Sequence, residues 1–239
     1  MDKKSNGGSN CCIGVSNVDS LDNQIITIKG GKIYLFFKRL FDIVLSFIAI
    51  ILISVTLIFP IISLLVLIST HGKVIFKDER MGLNRKKITI FKFQTMYSDA
   101  ETNVDKYLTT EQKKSWDLER KVKNDPRVTK LGKFLRRTSL DELPQLFNIF
   151  MGTLSFVGPR PITEEELTKN FSTYQQEQLM KVKPGLTGYW QVMDRSEATY
   201  ETGKRQQEEL AYLPKRSFWF DLKIMFMTIP AVIKGKGAR

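Results

Sequence analysis

Residues 43–68 read IVLSFIAIILISVTLIFPIISLLVLI, an apolar run without a charged side chain. As one straight helix this run would rise about 39 Å, enough to cross a hydrocarbon core of roughly 30 Å with some tilt. A cleavable signal peptide fits poorly, because the run is long, begins well inside the chain and lacks a small-residue cleavage site. The run therefore predicts a membrane segment.

Basic residues flank this run on both sides, with Lys38 and Arg39 before it and Lys73 and Lys77 after it. The positive-inside rule then places both ends in the cytoplasm, which a single straight crossing cannot satisfy. A helix that bends in the membrane and returns can do so. We predict such a re-entrant hairpin with its bend near Ser54 and Pro60, because proline removes a backbone hydrogen bond and a nearby hydroxyl can satisfy the freed carbonyl. A tilted single pass with a proline kink remains the alternative.

The chain divides by composition into three parts. Residues 1–31, rich in Ser, Asn and Gly, predict a flexible tail; residues 32–71 form the membrane hairpin, and residues 72–239 a compact cytosolic domain. The expected fold class is α+β and mostly helical, with a small sheet and interfacial amphipathic helices. Local patterns predict short strands at 72–76 and 88–93, a surface helix within 98–123, an amphipathic helix over 134–150 and an apolar helix over 218–233, interfacial or core.

Composition limits the chemistry. The 239 residues include 37 Lys and Arg against 25 Asp and Glu, a formal net charge of +12 that favours polyanionic partners. Two adjacent cysteines, Cys11 and Cys12, exclude a disulfide framework and a four-ligand zinc site. The single His71 excludes a metal site built from several histidines and argues against a Ser-His-Asp triad. The P-loop and dinucleotide glycine patterns are absent. Any catalysis must therefore rest on carboxylates and cations. The alternative to an enzyme is a membrane-anchored protein that binds nucleic acid or anionic lipid.

The strongest candidate lies in the block from residue 125 to residue 148. Ser139 and Glu142 match a capping box, which would place Asp141 and Glu142 in the first turn of a helix, where they could serve only as cap and dipole partner. Basic residues precede this turn, so we expect a low pKa for Asp141 and a role as a nucleophile toward phosphorus. Pro144 either disturbs this helix or begins it, with the acidic pair on the loop. The basic residues are Lys130, Lys133, Arg136 and Arg137.

Further segments suit a phosphorylated ligand. Arg160 lies between two prolines in residues 157–161, as a rigid phosphate contact or in an ordinary surface loop. Residues 183–191, KPGLTGYWQ, contain two glycines able to turn N–H groups toward an anion, and Trp190 able to stack on a base. Arg80 and Lys92 supply more cations.

These motifs together resemble the bacterial sugar transferase family, the monotopic phosphoglycosyl transferases. The resemblance runs from FKRLFD at 37–42 to GKGA at 235–238. Between them the matching segments are KFQTM at 92–96, DPR at 125–127, SLDEL at 139–143, LSFVGPRP at 154–161, PGLTGYWQ at 184–191 and DLK at 221–223.

The resemblance implies an undecaprenyl-phosphate sugar phosphotransferase on the cytoplasmic face of the bacterial cell membrane, in its inner leaflet. Its Asp-Glu pair falls on Asp141 and Glu142. The aspartate attacks the sugar-bearing phosphate of a UDP-sugar, releases UMP and forms an aspartyl phosphosugar, which undecaprenyl phosphate accepts. The glutamate is associated with Mg²⁺, so both carboxylates are candidate metal ligands. The product would begin capsule, exopolysaccharide, O-antigen or glycoprotein glycan assembly by downstream glycosyltransferases, and nucleic acid is not a partner.

The resemblance also bears on single positions of this chain. Arg160 corresponds to the family's substrate-site arginine. This chain departs from the family where Asp78 stands for Gln, Gln94 for Lys or Arg, and Asp194 for Gly. The substrate-binding candidates are Arg80, Lys92, Arg136, Arg137, Arg160, Trp190 and Arg195.

Overall fold

The computed structural model describes residues 26–100, 102–113, 122, 124–193, 198–200 and 202–233. The expected fold class is confirmed in its coarse form, because the described chain is mostly helical with short strands. The helices are α1 (Lys32–Val55), α2 (Ile58–Thr70), α3 (Val104–Tyr107), α4 (Lys130–Thr138), α5 (Gln145–Met151), α6 (Glu164–Asn170), α7 (Thr173–Met180), α8 (Tyr189–Met193), α9 (Lys204–Ala211) and α10 (Phe218–Ile233). The strands are β1 (Ile75–Met81), β2 (Lys87–Phe93), β3 (Ser155–Val157) and β4 (Gly185–Thr187).

The apolar run forms α1 and α2, which meet at an angle of 67°. Within the described residues neither helix alone has the length and apolar composition to cross a membrane, whereas the bent pair has both. The helices separate at Thr56 and Leu57, and Leu57 adopts the left-handed region with φ 57°.

The bend lies between the two residues that the sequence singled out. Ser54 donates from Oγ to the carbonyl oxygen of Ile50 at 2.7 Å, near the end of α1. Pro60 lies in the first turn of α2, where backbone N–H groups have no intrahelical acceptor. The N–H that proline lacks is therefore not needed, and Pro60 does not interrupt the helix. The break is therefore made by the left-handed Leu57 and not by a proline kink.

Strands β1 and β2 pair antiparallel, with Asp78 opposite Ile90 and Phe76 opposite Lys92. The second strand was predicted within one residue, but the first begins at Ile75 and continues through a charged stretch to Met81. The sequence did not indicate this part of β1, because the charged stretch lacks the alternation of apolar and polar residues that predicts a strand. Its charges are accommodated locally, since Asp78 and Arg80 share one face of β1 and form an ion pair of 2.7 Å.

Strands β3 and β4 pair parallel. β3 ends where the segment 157–161 begins, and β4 lies inside the segment 183–191, the two segments that the sequence indicated as phosphate-binding. The two segments approach so closely that a Cβ added to Gly185 would lie 2.1 Å from the backbone nitrogen of Gly158. The N–H of Gly185 donates to the carbonyl oxygen of Pro159 at 2.9 Å. The expectation that this glycine turns its N–H toward an anion is therefore wrong; glycine is needed here because the two backbones touch.

The helix predicted over residues 134–150 is broken. Helix α4 ends at Thr138, Ser139 takes the left-handed region with φ 57°, and residues 140–142 form a 3₁₀ turn before α5. Pro144 immediately precedes α5. The prediction of one helix was wrong because α4, the turn and α5 all contact the core. Their apolar residues therefore keep a helical spacing although the helix itself is not continuous.

The largest core cluster is formed by α6, α7, α9 and α10 around Leu167, Tyr212 and Leu213. The end of the predicted flexible tail packs here as well: the N–H of Ile26 donates to the Tyr174 hydroxyl at 2.9 Å, and that of Lys29 to the Leu213 carbonyl at 3.1 Å. Residues 1–25, with both cysteines, lie outside the described residues.

Two predicted helices remain. The C-terminal helix is confirmed as α10, which buries Ile224 and leaves Trp219 and Phe226 exposed, so it is core on one face and open on the other. Of the predicted surface helix, α3 and the helical residues 110–113 are described, whereas 114–121 and 123 lie outside the described residues.

Candidate active site

The acidic pair lies on the 3₁₀ turn between α4 and α5. The capping box expected from Ser139 and Glu142 is absent, because the Ser139 side chain makes no cap hydrogen bond; instead its carbonyl oxygen accepts the N–H of Glu142 at 3.2 Å. Leu140 and Leu143, on either side of the pair, pack against the cluster around Phe93 and Leu135. Packing of the flanking leucines therefore fixes the turn, and neither carboxylate is used as a helix cap.

The environment of Asp141 raises its pKa to about 6. Burial is the main cause, the adjacent Glu142 carboxylate adds repulsion, and Lys92 and Arg136 oppose both. The expected low pKa is therefore wrong for the protein alone. Cations are present as predicted, but their attraction is smaller than the combined effect of desolvation and a like charge on the next residue.

Two of the predicted cations lie beside Asp141. Arg136 is held by a hydrogen bond of 3.0 Å from its Nε to the hydroxyl of Thr95, and burial lowers its pKa. This contact depends on Gly132, where a Cβ would lie 2.1 Å from the Thr95 carbonyl oxygen, so α4 sits directly on the chain that follows β2. The other basic residues of α4 are exposed: Lys130, Lys133 and Arg137.

Lys92 begins a line of charges that leads away from the pair. Its ammonium lies 3.4 Å from Asp78, which also pairs with Arg80, and Arg80 in turn contacts Glu166 at 3.0 Å. Asp78 thus bridges two candidate cations across β1 and β2. Arg80 therefore has two carboxylate partners of its own and acts as a link in this line of charges.

Arg160 lies close enough to Glu166, the last residue of that line, for its charge to help lower the pKa of that carboxyl. Its backbone N–H donates to Glu209 on α9 at 3.0 Å, and its guanidinium lies 5.7 Å from the centre of the Trp190 ring. Arg205, also on α9, stacks closer, at 4.4 Å from Trp190 and 4.0 Å from Tyr200. Two arginines and two aromatic rings therefore form one compact group, which we call the arginine–tryptophan cluster.

This cluster contains buried polar atoms without a hydrogen-bond partner. They are Nε of Arg160 and Arg205, Nε1 of Trp190, the hydroxyl of Tyr200 and Oε1 of Glu209. Burial also raises the pKa of Glu209 to about 7. Buried polar groups are normally paired, so donors and an acceptor that converge unpaired point to a polar ligand at this place.

A metal could be held only with help from a ligand. Among the described residues no three His, Cys, Asp or Glu side chains come together as a metal site. Mg²⁺, however, often uses one or two carboxylates together with water and substrate phosphates. The neighbouring carboxylates of Asp141 and Glu142 fit this kind of site, because a bound cation would offset their mutual repulsion, which adds to the effect of burial on the pKa of Asp141.

Comparison with known proteins then places the chain. The family model described as bacterial sugar transferase matches residues 33–235. The chain belongs to the bacterial sugar transferase family. The exopolysaccharide production protein ExoY of Rhizobium meliloti is 38% identical over 205 residues, covering 84% of this chain and 87% of that protein.

Two longer members of the family carry more explicit names. A UDP-galactose-lipid carrier transferase of Erwinia amylovora is 38% identical over 207 residues, 85% of this chain and 42% of that protein. A UDP-glucose:undecaprenyl-phosphate glucose-1-phosphate transferase of Klebsiella pneumoniae is 41% identical over 197 residues, 81% of this chain and 39% of that protein. The chain thus spans less than half the length of these two relatives.

The motifs that the sequence analysis singled out have different structural roles. Asp125 and Arg127 of the DPR motif form a buried pair, with Arg127 Nη2 donating to Asp125 at 2.7 Å. The sequence did not indicate the roles of Arg205, Tyr200 and Glu209. They lie in a charged helix and the loop before it, and no local motif marks them. Arg195 and residues 235–238 lie outside the described residues.

Proposed function

We propose that the chain transfers a phosphosugar from a UDP-sugar to undecaprenyl phosphate, giving undecaprenyl-diphosphate-sugar and UMP. The observation that carries the proposal is the placement of Asp141, a partly buried carboxylate next to Glu142 and facing Lys92 and Arg136. The printed names of the relatives support the class of substrates, a UDP-sugar and a lipid phosphate. In this proposal the chain is a phosphoglycosyl transferase.

The reaction would proceed in two displacements. An Asp141 carboxylate oxygen attacks the phosphorus that bears the sugar, the bond to the bridging oxygen breaks, and UMP leaves with that oxygen. The resulting aspartyl phosphosugar is then attacked by a phosphate oxygen of undecaprenyl phosphate, and the carboxylate leaves. Lys92 and Arg136 supply positive charge, without which two anions would not approach.

The arginine–tryptophan cluster would bind the donor nucleotide. Arg160 and Arg205 have buried Nε atoms without protein partners, which suits phosphate oxygens, and Trp190 has a ring able to stack on a base. The line from Lys92 through Asp78, Arg80 and Glu166 leads from this cluster to Asp141. Arg137 and Arg195 remain predicted substrate contacts.

Mg²⁺ would be held by Glu142 and Asp141 together with the donor phosphates, and when bound it would neutralise phosphate charge. Glu142→Ala should then lower turnover strongly. The matched control is Glu111→Ala, which removes an exposed glutamate far along the chain. Full activity of Glu142→Ala at limiting Mg²⁺ would show that Glu142 does not bind the metal.

The bent α1–α2 pair would enter the inner leaflet of the bacterial cell membrane and return, which makes the protein monotopic with its catalytic domain in the cytoplasm. Three observations support this. The pair bends by 67°, basic residues flank both ends, and apolar side chains along both helices are exposed, Ile33 at 76%, Val55 at 75% and Ile68 at 63%. The product would enter capsule, exopolysaccharide, O-antigen or glycoprotein glycan assembly through downstream glycosyltransferases.

Release of UMP tests the proposal. Membranes containing the full chain are incubated with a panel of UDP-sugars, with and without undecaprenyl phosphate and Mg²⁺. We expect UMP from at least one donor and none from Asp141→Asn, while Asp105→Asn, an exposed change of the same kind, keeps wild-type turnover. Near-normal turnover in Asp141→Asn would refute the covalent route, and lipid-linked sugar without UMP would refute the reaction itself.

A further inference from the structure

A second concave site lies at the opposite end of α1 from the bend. An open cavity of about 560 Å³ is formed where the chain enters α1 and where it enters α10. Lys29, Gly31 and Phe37 line one side, and Arg216 and Phe218 the other. The cavity is lined by residues before and within α1 and by residues at the start of α10, and neither Asp141 nor Glu142 is among them, so this cavity is separate from the acidic pair.

The polar part of the cavity suits an anion. Arg216 is only 5% exposed, and its Nε has no hydrogen-bond partner. Its guanidinium lies 5.5 Å from the centre of the Tyr34 ring, and no ion pair joins it to a carboxylate of the described residues. Burying an uncompensated charge is costly, so a positive group held in this way favours an anionic ligand.

The acidic residue that could have neutralised Arg216 is occupied elsewhere. Asp221, in the first turn of α10, accepts Lys38 at 2.5 Å, the Tyr34 hydroxyl at 2.8 Å and the Tyr212 hydroxyl at 2.7 Å. It therefore fastens α10 to α1 and leaves the positive charge of Arg216 and Lys29 available to the cavity.

The start of α1 adds to this positive field. The helix has 24 residues, its N-cap Gly31 makes no side-chain cap hydrogen bond, and its first turn has no acidic residue. The first N–H groups of a helix lack intrahelical acceptors and carry partial positive charge. Gly31 and Ile33 line the cavity, so this uncapped end opens into it.

The rim of the cavity is apolar. Among the lining residues Ile33 is 76% exposed, Phe37 53% and Phe218 37%. Exposed phenylalanine side chains at such a rim suit the boundary between headgroups and acyl chains. A ligand that fits both parts carries a phosphate and a hydrocarbon tail.

We propose that this cavity binds the phosphate of an anionic glycerophospholipid of the host membrane, through Arg216 and Lys29, with an acyl chain along Ile33 and Phe37. The inference rests on the proposed membrane placement of α1. The bound lipid would fix the depth and orientation of α1 and α10, and it is distinct from the acceptor lipid that reacts at Asp141.

The test uses the full chain in a neutral detergent after lipid removal. Phosphatidylglycerol, phosphatidylcholine, inorganic phosphate and undecaprenyl phosphate are titrated separately, and the shift of the thermal unfolding midpoint is recorded. We expect phosphatidylglycerol to raise the midpoint in wild type and in Lys215→Gln, an exposed neighbouring cation outside the cavity. Its half-saturating concentration should rise at least about tenfold in Arg216→Gln, corresponding to about 1.4 kcal/mol.

Two further variants keep the test decisive. Should Arg216→Gln fail to fold, Lys29→Gln, a change at an exposed side chain, must still weaken the phosphatidylglycerol shift, and Arg216→Lys must retain part of it. An equal shift with phosphatidylcholine, the same shift with inorganic phosphate, or an Arg216-dependent shift with undecaprenyl phosphate alone would each overturn the proposal.

The outcome can be separated from that of the transferase assay. In Asp141→Asn, which should release no UMP, the phosphatidylglycerol shift must persist. An Arg216-dependent shift in a chain that releases no UMP from any donor would leave the lipid site standing and refute the transferase. UMP release without such a shift would refute the lipid site alone.

Discussion

The backbone N–H of Phe156 donates a hydrogen bond of 3.0 Å to the carboxylate of Asp42, which is only 3% exposed. Asp42 lies on α1, and Phe156 lies on β3, the strand that leads into Arg160. The proposed membrane helix is therefore fastened to the strand that positions a candidate substrate contact. Arg39 adds to this attachment, with hydrogen bonds of 2.7 Å to the carbonyl oxygens of Ile149 and Phe150.

Removal of this attachment should destabilise the protein. Asp42→Ala leaves the Phe156 N–H buried without an acceptor, and an unsatisfied buried donor costs about 1–3 kcal/mol. We expect a lower thermal unfolding midpoint in detergent. Asp42→Asn is the matched control, because its amide oxygen can still accept the hydrogen bond. Equal midpoints for the two variants would show that the hydrogen bond is not what stabilises this contact.

The pH dependence of donor cleavage should report Asp141. The nucleophile must be ionised, and its pKa is raised to about 6, so UMP release should fall about tenfold per pH unit below that value. Because a cation beside the carboxylates favours their ionised form, more Mg²⁺ should move the midpoint to lower pH. A rate that is flat from pH 7 to pH 5 would contradict the assignment of Asp141 as the nucleophile.

The same shift has a consequence for stability. A raised pKa means that folding disfavours the ionised carboxylate, so the penalty is absent below the ordinary pKa of 3.8, grows as the pH rises from there to about 6, and is complete above that. Asp141→Asn should therefore unfold at a higher temperature than wild type at pH 7.5 without Mg²⁺, and the difference should shrink at pH 4.5. A less stable Asp141→Asn at pH 7.5 would contradict this.

Arg205 should be required for donor binding. Arg205→Lys keeps the charge but loses the planar group that stacks between Trp190 and Tyr200. We expect kcat/KM for the UDP-sugar to fall about 10- to 100-fold, mainly through KM. Arg85→Lys, the same change at an exposed turn, should leave both constants unchanged. Wild-type KM in Arg205→Lys would exclude Arg205 from the donor site.

The contact between Gly185 on β4 and the chain that follows β3 should tolerate no side chain. A Cβ at Gly185 would lie 2.1 Å from the backbone nitrogen of Gly158, so Gly185→Ala should cost about 2–4 kcal/mol of unfolding free energy. Gly31→Ala is the control, because nothing lies within 4 Å of its Cβ position. Denaturant unfolding in detergent measures both, and similar midpoints would contradict the close approach.

The re-entrant topology can be tested with single cysteines. In a background with Cys11 and Cys12 replaced by serine, Gly31→Cys and Lys73→Cys place labels on either side of the α1–α2 pair. Both should be protected from an impermeant thiol reagent in intact cells and react after the cells are opened. Reaction of one label only in intact cells would replace the hairpin with a single pass.

Several features could be predicted from local sequence because they depend on neighbouring residues. The apolar run, β2 and α10 are of this kind, and the position of the acidic pair before Pro144 and α5 was one of two alternatives. The continuous helix over 134–150 was wrong because a left-handed Ser139 interrupts it without changing the apolar period. The capping box was wrong because the same left-handed residue redirects the serine side chain.

Other features depend on residues distant in the chain. Arg205 and Glu209 lie about fifty residues from Arg160 in the sequence, and no local pattern indicates that their side chains meet around Trp190. The raised pKa of Asp141 could not be inferred either, because burial is a property of the packed structure and outweighs the basic neighbours that are visible in the sequence.

The sequence by itself determined the family, the apolar segment with basic flanks, and the identity of the acidic pair, because composition and short motifs carry that information. Tertiary structure decided where the apolar segment bends, which cations face Asp141, and which buried polar atoms are left for ligands. These depend on backbone conformation at single residues such as Leu57 and on packing between distant segments, and neither is encoded in a local pattern.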